Sequence, residues 1–100
     1  MSSSRAQPLT IEREEGPTKG SYFALVEGHR AEMTYARAAA MIIIDHTGVP
    51  DALRGRGVGK ALVQRAVEDA RAEKRSIIPL CPFAKGLFER HPEWQDVLKG

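Results

Sequence analysis

The sequence predicts an α/β (α+β) fold: a compact mixed β-sheet with antiparallel N-terminal strands, a β-α-β crossover and helices packed on the sheet. Three observations carry this expectation. The apolar run Met41-Ile42-Ile43-Ile44 does not alternate, which is the composition of a central strand covered on both faces. A helical stripe follows, with Val58, Leu62, Ala66 and Ala70 recurring at the helical repeat and Ala61 and Val67 widening it. A second strand-like run, Ser76-Ile77-Ile78-Pro79-Leu80, completes a β-α-β unit over Met41 to Leu80. Its two strands should lie parallel, with a right-handed connection, if they share a sheet.

Taken in order, Met1 to Pro8 is polar and reads as a flexible N-terminus, leaving residues 9–100 as one small domain. Leu9 to Glu14 has the makings of a short strand, and Glu15 to Gly20 has the composition of a turn. Ser21 to Val26 is strand-like, and Glu27-Gly28-His29 reads as a tight hairpin turn into Arg30 to Tyr35. There Ala31, Met33 and Tyr35 alternate with Arg30, Glu32 and Thr34, so one face is wet. Arg37 to Ala40 is undecided, since alanine favours helix in a piece too short to stand alone. Lys74 and Arg75 suit the negative end of the long helix. Pro82 fits a first helical turn, which puts Cys81 at a strand-to-helix junction. Phe83, Leu87 and Phe88 give the second helix an apolar side, His91-Pro92 ends it, and Pro92 to Leu98 adds a final turn. Trp94 and Phe88 read as core.

Composition excludes several classes of function. A net charge of +2 is too small to imply nucleic-acid binding, so any functional positive charge must be local. The single cysteine cannot form an internal disulfide, and His29, His46 and His91 are scattered without metal-ligand spacing, so no metal is expected. Met1 to Arg5 lacks the apolar core of a signal peptide. The longest apolar stretch, Ala38 to Ile44, falls far short of the ~20 residues that span a bilayer. A cytoplasmic protein without membrane or nucleic-acid partners is the expectation, as a monomer or weak homodimer.

The start of the long helix carries the chemistry. Helices usually open on Ser, Thr, Asp or Asn, whose side chain accepts a free backbone N–H. Here the entry is Arg54-Gly55-Arg56-Gly57-Val58-Gly59-Lys60, with no such acceptor. Up to ~4 amides are left open with the positive end of the helix dipole behind them. Glycines let a ligand approach the backbone, and Arg54, Arg56 and Lys60 add mobile positive charge, a combination suited to a phosphate or pyrophosphate. The bland alternative is a tight turn with solvated arginines. Three basic residues around alternating glycines favour the anion site. Two familiar phosphate loops do not fit. A P-loop needs Ser or Thr where Ala61 stands and Gly where Arg54 stands, and the dinucleotide fingerprint fails because its third glycine would be Lys60.

The pattern Arg/Gln-x-x-Gly-x-Gly/Ala, met by Arg54, Gly57 and Gly59, resembles the coenzyme A signature of the GNAT superfamily of N-acetyltransferases. The flanking Asp45-His46-Thr47-Gly48-Val49-Pro50 and Pro79-Leu80-Cys81-Pro82-Phe83-Ala84-Lys85, with Phe88 to Trp94, are similar to the small YjdJ-type branch of that superfamily. The resemblance covers most of residues 20–98. It implies acetyl-CoA as co-substrate, held where the strands Met41 to Val49 and Ser76 to Leu80 splay apart. By this resemblance Thr47, Gly48 and Val49 offer backbone contacts, and Gly55, Arg56, Gly57, Val58, Gly59 and Lys60, with Arg54, take the pyrophosphate. Cys81, Phe83 and Lys85 are further coenzyme contacts, with Lys85 and Arg90 able to reach the adenine-ribose phosphate. An N–H near His46 to Gly48 would stabilise the oxyanion. The acceptor would be a small-molecule or peptide amine, and its proton needs a base, for which His46 is the candidate, oriented by Asp45 or standing alone. Cys81, at a helix start, is a second catalytic candidate, as acyl acceptor, as acid for the departing thiolate or as a simple coenzyme contact. The turn Glu15 to Gly20 is too short for the acceptor-binding helices of larger members. A non-catalytic CoA-binding or regulatory module is the alternative.

Overall fold

In the computed structural model, which describes residues 10–99, the first half of the chain is a meander and the second half a crossover. The stretch expected to be flexible, 1–8, lies outside the described residues. The strands β1 (Ile11–Glu15), β2 (Lys19–Val26), β3 (His29–Ala38) and β4 (Met41–Gly48) pair antiparallel in sequence order. Helix α1 (Val58–Glu73) then returns the chain so that β5 (Ser76–Pro79) lies parallel to β4, and α2 (Pro82–Arg90) follows. The result is a five-stranded mixed sheet in the order β1-β2-β3-β4-β5.

The β2–β3 hairpin closes through Glu27 and Gly28, whose φ values of 53° and 81° are the paired positive angles of a two-residue turn that follows the strand twist. The undecided piece Arg37 to Ala40 is strand up to Ala38, then a tight turn in which Ala39 takes φ 54° so that Ala38 can face Met41. Pairing with β4 outweighs alanine's helical preference. β4 also runs further than its apolar run, through the polar Asp45-His46-Thr47-Gly48, because β3 offers partners as far as Glu32.

Tyr22, Met33, Tyr35, Ile42, Ile44 and Ile77 turn one sheet face toward Leu62, Val63 and Val67 of α1 and Phe88 of α2, forming a single buried cluster with both helices. The expectation that Met41 to Ile44 is covered on both faces is corrected. Ile42 and Ile44 are buried, but Met41 and Ile43 are only partly so, since no helix among the described residues covers the other face. Trp94 and Phe88 are core as expected, edge to face at 5.5 Å, and the His91 ring stacks on the indole at 4.2 Å. The outer edge of β5 is not bare. Ile77 N–H donates to Val97 O at 2.7 Å and Lys99 N–H to Ile77 O at 2.9 Å.

Candidate functional site

Two irregularities in the sheet build the site. The first is a bulge in β4: Tyr35 faces Ile44 and Thr34 faces His46, so Asp45 has no partner. An extra residue in a two-residue period reverses the facing of everything after it. Simple alternation from Ile42 and Ile44 would aim His46 at the core. Instead Thr47, opposite the buried Met33, turns to the helix side, while His46 and Asp45 lie exposed on the open side. The second irregularity is that the β4–β5 ladder stops at Ile44 opposite Pro79. Leu80 and Cys81 N–H both donate to Ile44 O at 3.0 Å, and the chain then leaves for α2. The main chain of β4 from Asp45 to Gly48 therefore has no β5 neighbour.

The glycine turn stands over this gap. A short 3-10 helix, Asp51–Leu53, buries Leu53 and anchors the turn. Gly55 and Gly57 then take φ 79° and 76°, angles that glycine adopts without a Cβ penalty. Gly57 is the N-cap of α1 with no side-chain cap, and the first helical bond is Ala61 N–H to Gly57 O at 3.0 Å. The amides of Val58, Gly59 and Lys60 thus lack acceptors among the described residues and point out of the positive end of the helix dipole. Gly59 has a different reason to be glycine. A Cβ there would come within 2.6 Å of Phe83 Cζ, so the outer end of the half-exposed Phe83 ring lies against the helix start.

Between these parts opens a cleft of about 330 Å³. Thr47, Val49 and Phe83 line it together with Arg54, Gly55, Gly57, Val58, Gly59 and Lys60 of the glycine turn. Leu53 also lines it, a residue that sequence reasoning passed over because an apolar side chain in a loop gives no periodic signal. The other sequence candidates lie elsewhere. Gly48 sits beside the His46 ring on the open side, where a Cβ would come 3.1 Å from His46 Nε2. Lys85 borders a separate depression of about 350 Å³ with Phe88 and Leu98. Asp45 accepts from Thr34 Oγ1 at 2.5 Å, so it is engaged with β3 and not with His46.

Cys81 is buried at the N-cap of α2, and its Sγ donates to Thr47 Oγ1 at 3.5 Å. Burial alone would push the thiol up. The Thr47 hydroxyl, which can turn its own hydrogen toward a thiolate, together with the amides of Ala84, Phe83 and Thr47, outweighs burial and holds the thiol below its ordinary value. The structure thus joins Cys81 to the cleft through Thr47, with His46 on the opposite sheet face.

The expected mobile positive charge is corrected at two positions. Arg54 is paired with Asp51 at 2.7 Å, and Arg56 makes a two-pronged contact with Glu27 at 3.0 and 3.1 Å. The spacing of Asp51 and Arg54 made the first pair readable. Nothing local signalled the second, which joins residues 29 positions apart. Neither carboxylate caps the open amides of α1. On the open face, a shallow cleft of about 620 Å³ is bordered by Glu14, Glu32 and Asp45, with Lys19 at its rim.

A family model described as GCN5-related N-acetyl-transferase matches residues 21–97. Among solved structures, a GCN5-like protein from Staphylococcus aureus is 40% identical, superposes with a TM-score of 0.68, and is matched over 89% of this chain and 88% of its own. Ribosomal-protein-alanine N-acetyltransferase from Brucella melitensis biovar Abortus 2308 shares the fold at 20% identity and a TM-score of 0.65, over 75% of this chain and 62% of that one.

Proposed function

The chain belongs to the GCN5-related N-acetyltransferase family, and from that premise we propose that it moves the acetyl group of acetyl-CoA onto a primary amine. The observation that carries the coenzyme half is the set of amides at Val58, Gly59 and Lys60 that have no acceptor among the described residues and face a cleft of about 330 Å³. Backbone N–H groups at a helix start suit a diphosphate, which needs several donors and no counter-charge that moves. The β5-facing edge of β4 from Asp45 to Gly48, where the parallel ladder has ended, would hold the pantetheine arm much as a neighbouring strand is held.

In this reading the pyrophosphate rests on the glycine turn and the thioester lies at the inner end of the cleft, near Thr47 and Cys81. The neutral amine attacks the carbonyl carbon, forming the new C–N bond. A β4 amide donates to the developing oxyanion, and collapse breaks the C–S bond to release the coenzyme thiolate, which takes the second proton from the new amide nitrogen. The amine enters from the open face, where an ammonium ion would meet the carboxylates of Glu14, Glu32 and Asp45. His46, exposed on that face, takes the proton the ammonium must lose.

A second reading is favoured by the lowered Cys81 thiol. Its thiolate attacks the acetyl carbonyl, the coenzyme thiolate leaves, and the amine then displaces Cys81 from the acyl-enzyme. Mass spectrometry after brief mixing with acetyl-CoA separates the routes: one added acetyl group on Cys81 marks the relay, and an unmodified protein that still turns over marks direct transfer.

A thermal-shift titration tests the whole. Acetyl-CoA and CoA should each raise the unfolding midpoint and ATP should not. No stabilisation by either coenzyme form would overturn the reading. Stabilisation without acetylation of any member of a broad amine panel would leave a coenzyme-binding module and remove the catalytic half.

A further inference from the structure

The tip of the β2–β3 hairpin reaches the glycine turn and occupies one of its two arginines. Arg56 Nη1 donates to Glu27 Oε1 at 3.0 Å and Nη2 to Oε2 at 3.1 Å, the parallel fork by which a guanidinium grips a carboxylate. A phosphate uses the same fork, so a coenzyme phosphate and Glu27 would address the same two N–H groups. The pair is exposed, with the Arg56 side chain at 43% and that of Glu27 at 68%, so it is held loosely enough to be exchanged. Glu27 is nonetheless well placed. It sits in a two-residue turn at φ 53°, beside Gly28 at φ 81°, which fixes where the carboxylate leaves the backbone.

We propose that Glu27 is an internal competitor for Arg56, a carboxylate that stands in for a coenzyme phosphate and sets how tightly the glycine turn holds its ligand. This rests on the coenzyme reading above and names a regulating residue of that same site. When the diphosphate arrives, Arg56 turns from Glu27 to the phosphate oxygens, and the carboxylate is released to solvent. The exchange conserves the number of charge-assisted hydrogen bonds on Arg56. Its cost is the lost ion pair and the repulsion between Glu27 and the incoming anion. Arg54 is engaged by Asp51 as well, but within its own turn and almost fully in solvent, so that pair offers no comparable link between separate elements.

The test is a double-mutant cycle read by titration calorimetry with CoA on the intact chain, using wild type, E27Q, R56Q and E27Q/R56Q at low salt. E27Q should tighten CoA binding by about two- to fivefold, the range an exposed ion pair supports. In the R56Q background the same change should do markedly less, because no arginine remains to be released. Acetyl-pantetheine, which has no phosphate, should bind wild type and E27Q alike. The E27Q gain should shrink as salt is raised. Unfolding midpoints of the four proteins show whether each is folded. Weaker CoA binding by E27Q would mean that Glu27 orients Arg56 for the ligand and would overturn the proposal, as would unchanged affinity or an equal gain with and without Arg56. Failure of wild type to bind CoA would instead remove the coenzyme reading and this inference with it.

Discussion

Gly57 and Gly59 stand two residues apart and are glycine for unrelated reasons, which separates two effects that a motif merges. At Gly57 nothing lies within 4 Å of an added Cβ, so the constraint is the backbone angle of 76° alone. Gly57→Ala should cost about 1–2 kcal/mol, the penalty of a left-handed angle, measurable by urea unfolding. At Gly59 the angle is ordinary and the obstacle is the Phe83 ring. Since that ring is the outer end of a half-exposed side chain, Gly59→Ala should leave stability within about 0.5 kcal/mol and push Phe83 into the cleft. CoA affinity should fall, and Gly59→Ala combined with Phe83→Ala should recover part of it. No recovery would mean that the methyl group itself blocks the ligand. The glycine spacing was legible in the sequence. The division of labour within it was not, because one half depends on a ring that arrives from α2.

Among the elements, β4 shows where pattern reading stops. Its apolar start identified it, but its length and facing come from outside. β3 supplies the partners that extend it to Gly48, and the unpaired Asp45 reverses which side Thr47 and His46 present. No local feature of Asp45-His46-Thr47 announces a bulge, so the side of His46 could not be read from alternation. The bulge makes a direct prediction. Deleting Asp45 would return β4 to regular alternation while keeping Ile44 and Thr47 inward and His46 outward. The protein should stay folded, with an unfolding midpoint equal to or above wild type, because an irregular ladder becomes regular. CoA binding should weaken as the strand straightens toward β5. Retention of full affinity would show that the gap between the strands owes nothing to the bulge. The crossover itself, from Met41 to Pro79, was legible because a non-alternating strand and a strong helical stripe admit few arrangements.

Over the whole molecule, charge ties the free edge of the sheet to the far end of α1. Arg13 bridges Glu73 at 2.6 Å and Glu15 at 2.7 Å, Arg75 reaches Glu15 at 3.0 Å, and Tyr35 donates to Glu15 at 2.6 Å. Tyr22 donates to Asp69 at 2.7 Å from beneath, and burial with that bond keeps its hydroxyl far above the usual phenol value. Arg75, with Tyr35 and Arg13, outweighs the desolvation of Glu15 and lowers its carboxyl from 4.5 to about 2. A carboxylate depressed on folding adds stability above its unfolded value and loses it as pH falls through the folded one. The unfolding free energy should therefore decline from about pH 4.5 toward pH 2, and Glu15→Gln should flatten that part of the profile. An unaltered acid limb would place the sensitivity on other carboxylates. The sequence showed a neutral-looking chain of mixed charges. That five of them meet around two tyrosines is a product of topology, since β1 is brought beside α1 only once the meander is complete.

The stacking of His91 on Trp94 gives the protein an optical handle. Because the chain has one tryptophan, all indole emission comes from a ring that is 5% exposed and covered by an imidazole. Unfolding separates that ring from the imidazole and transfers it to water, which shifts its light to longer wavelength. A single chromophore thus reports whether the end of the core beside α2 is intact.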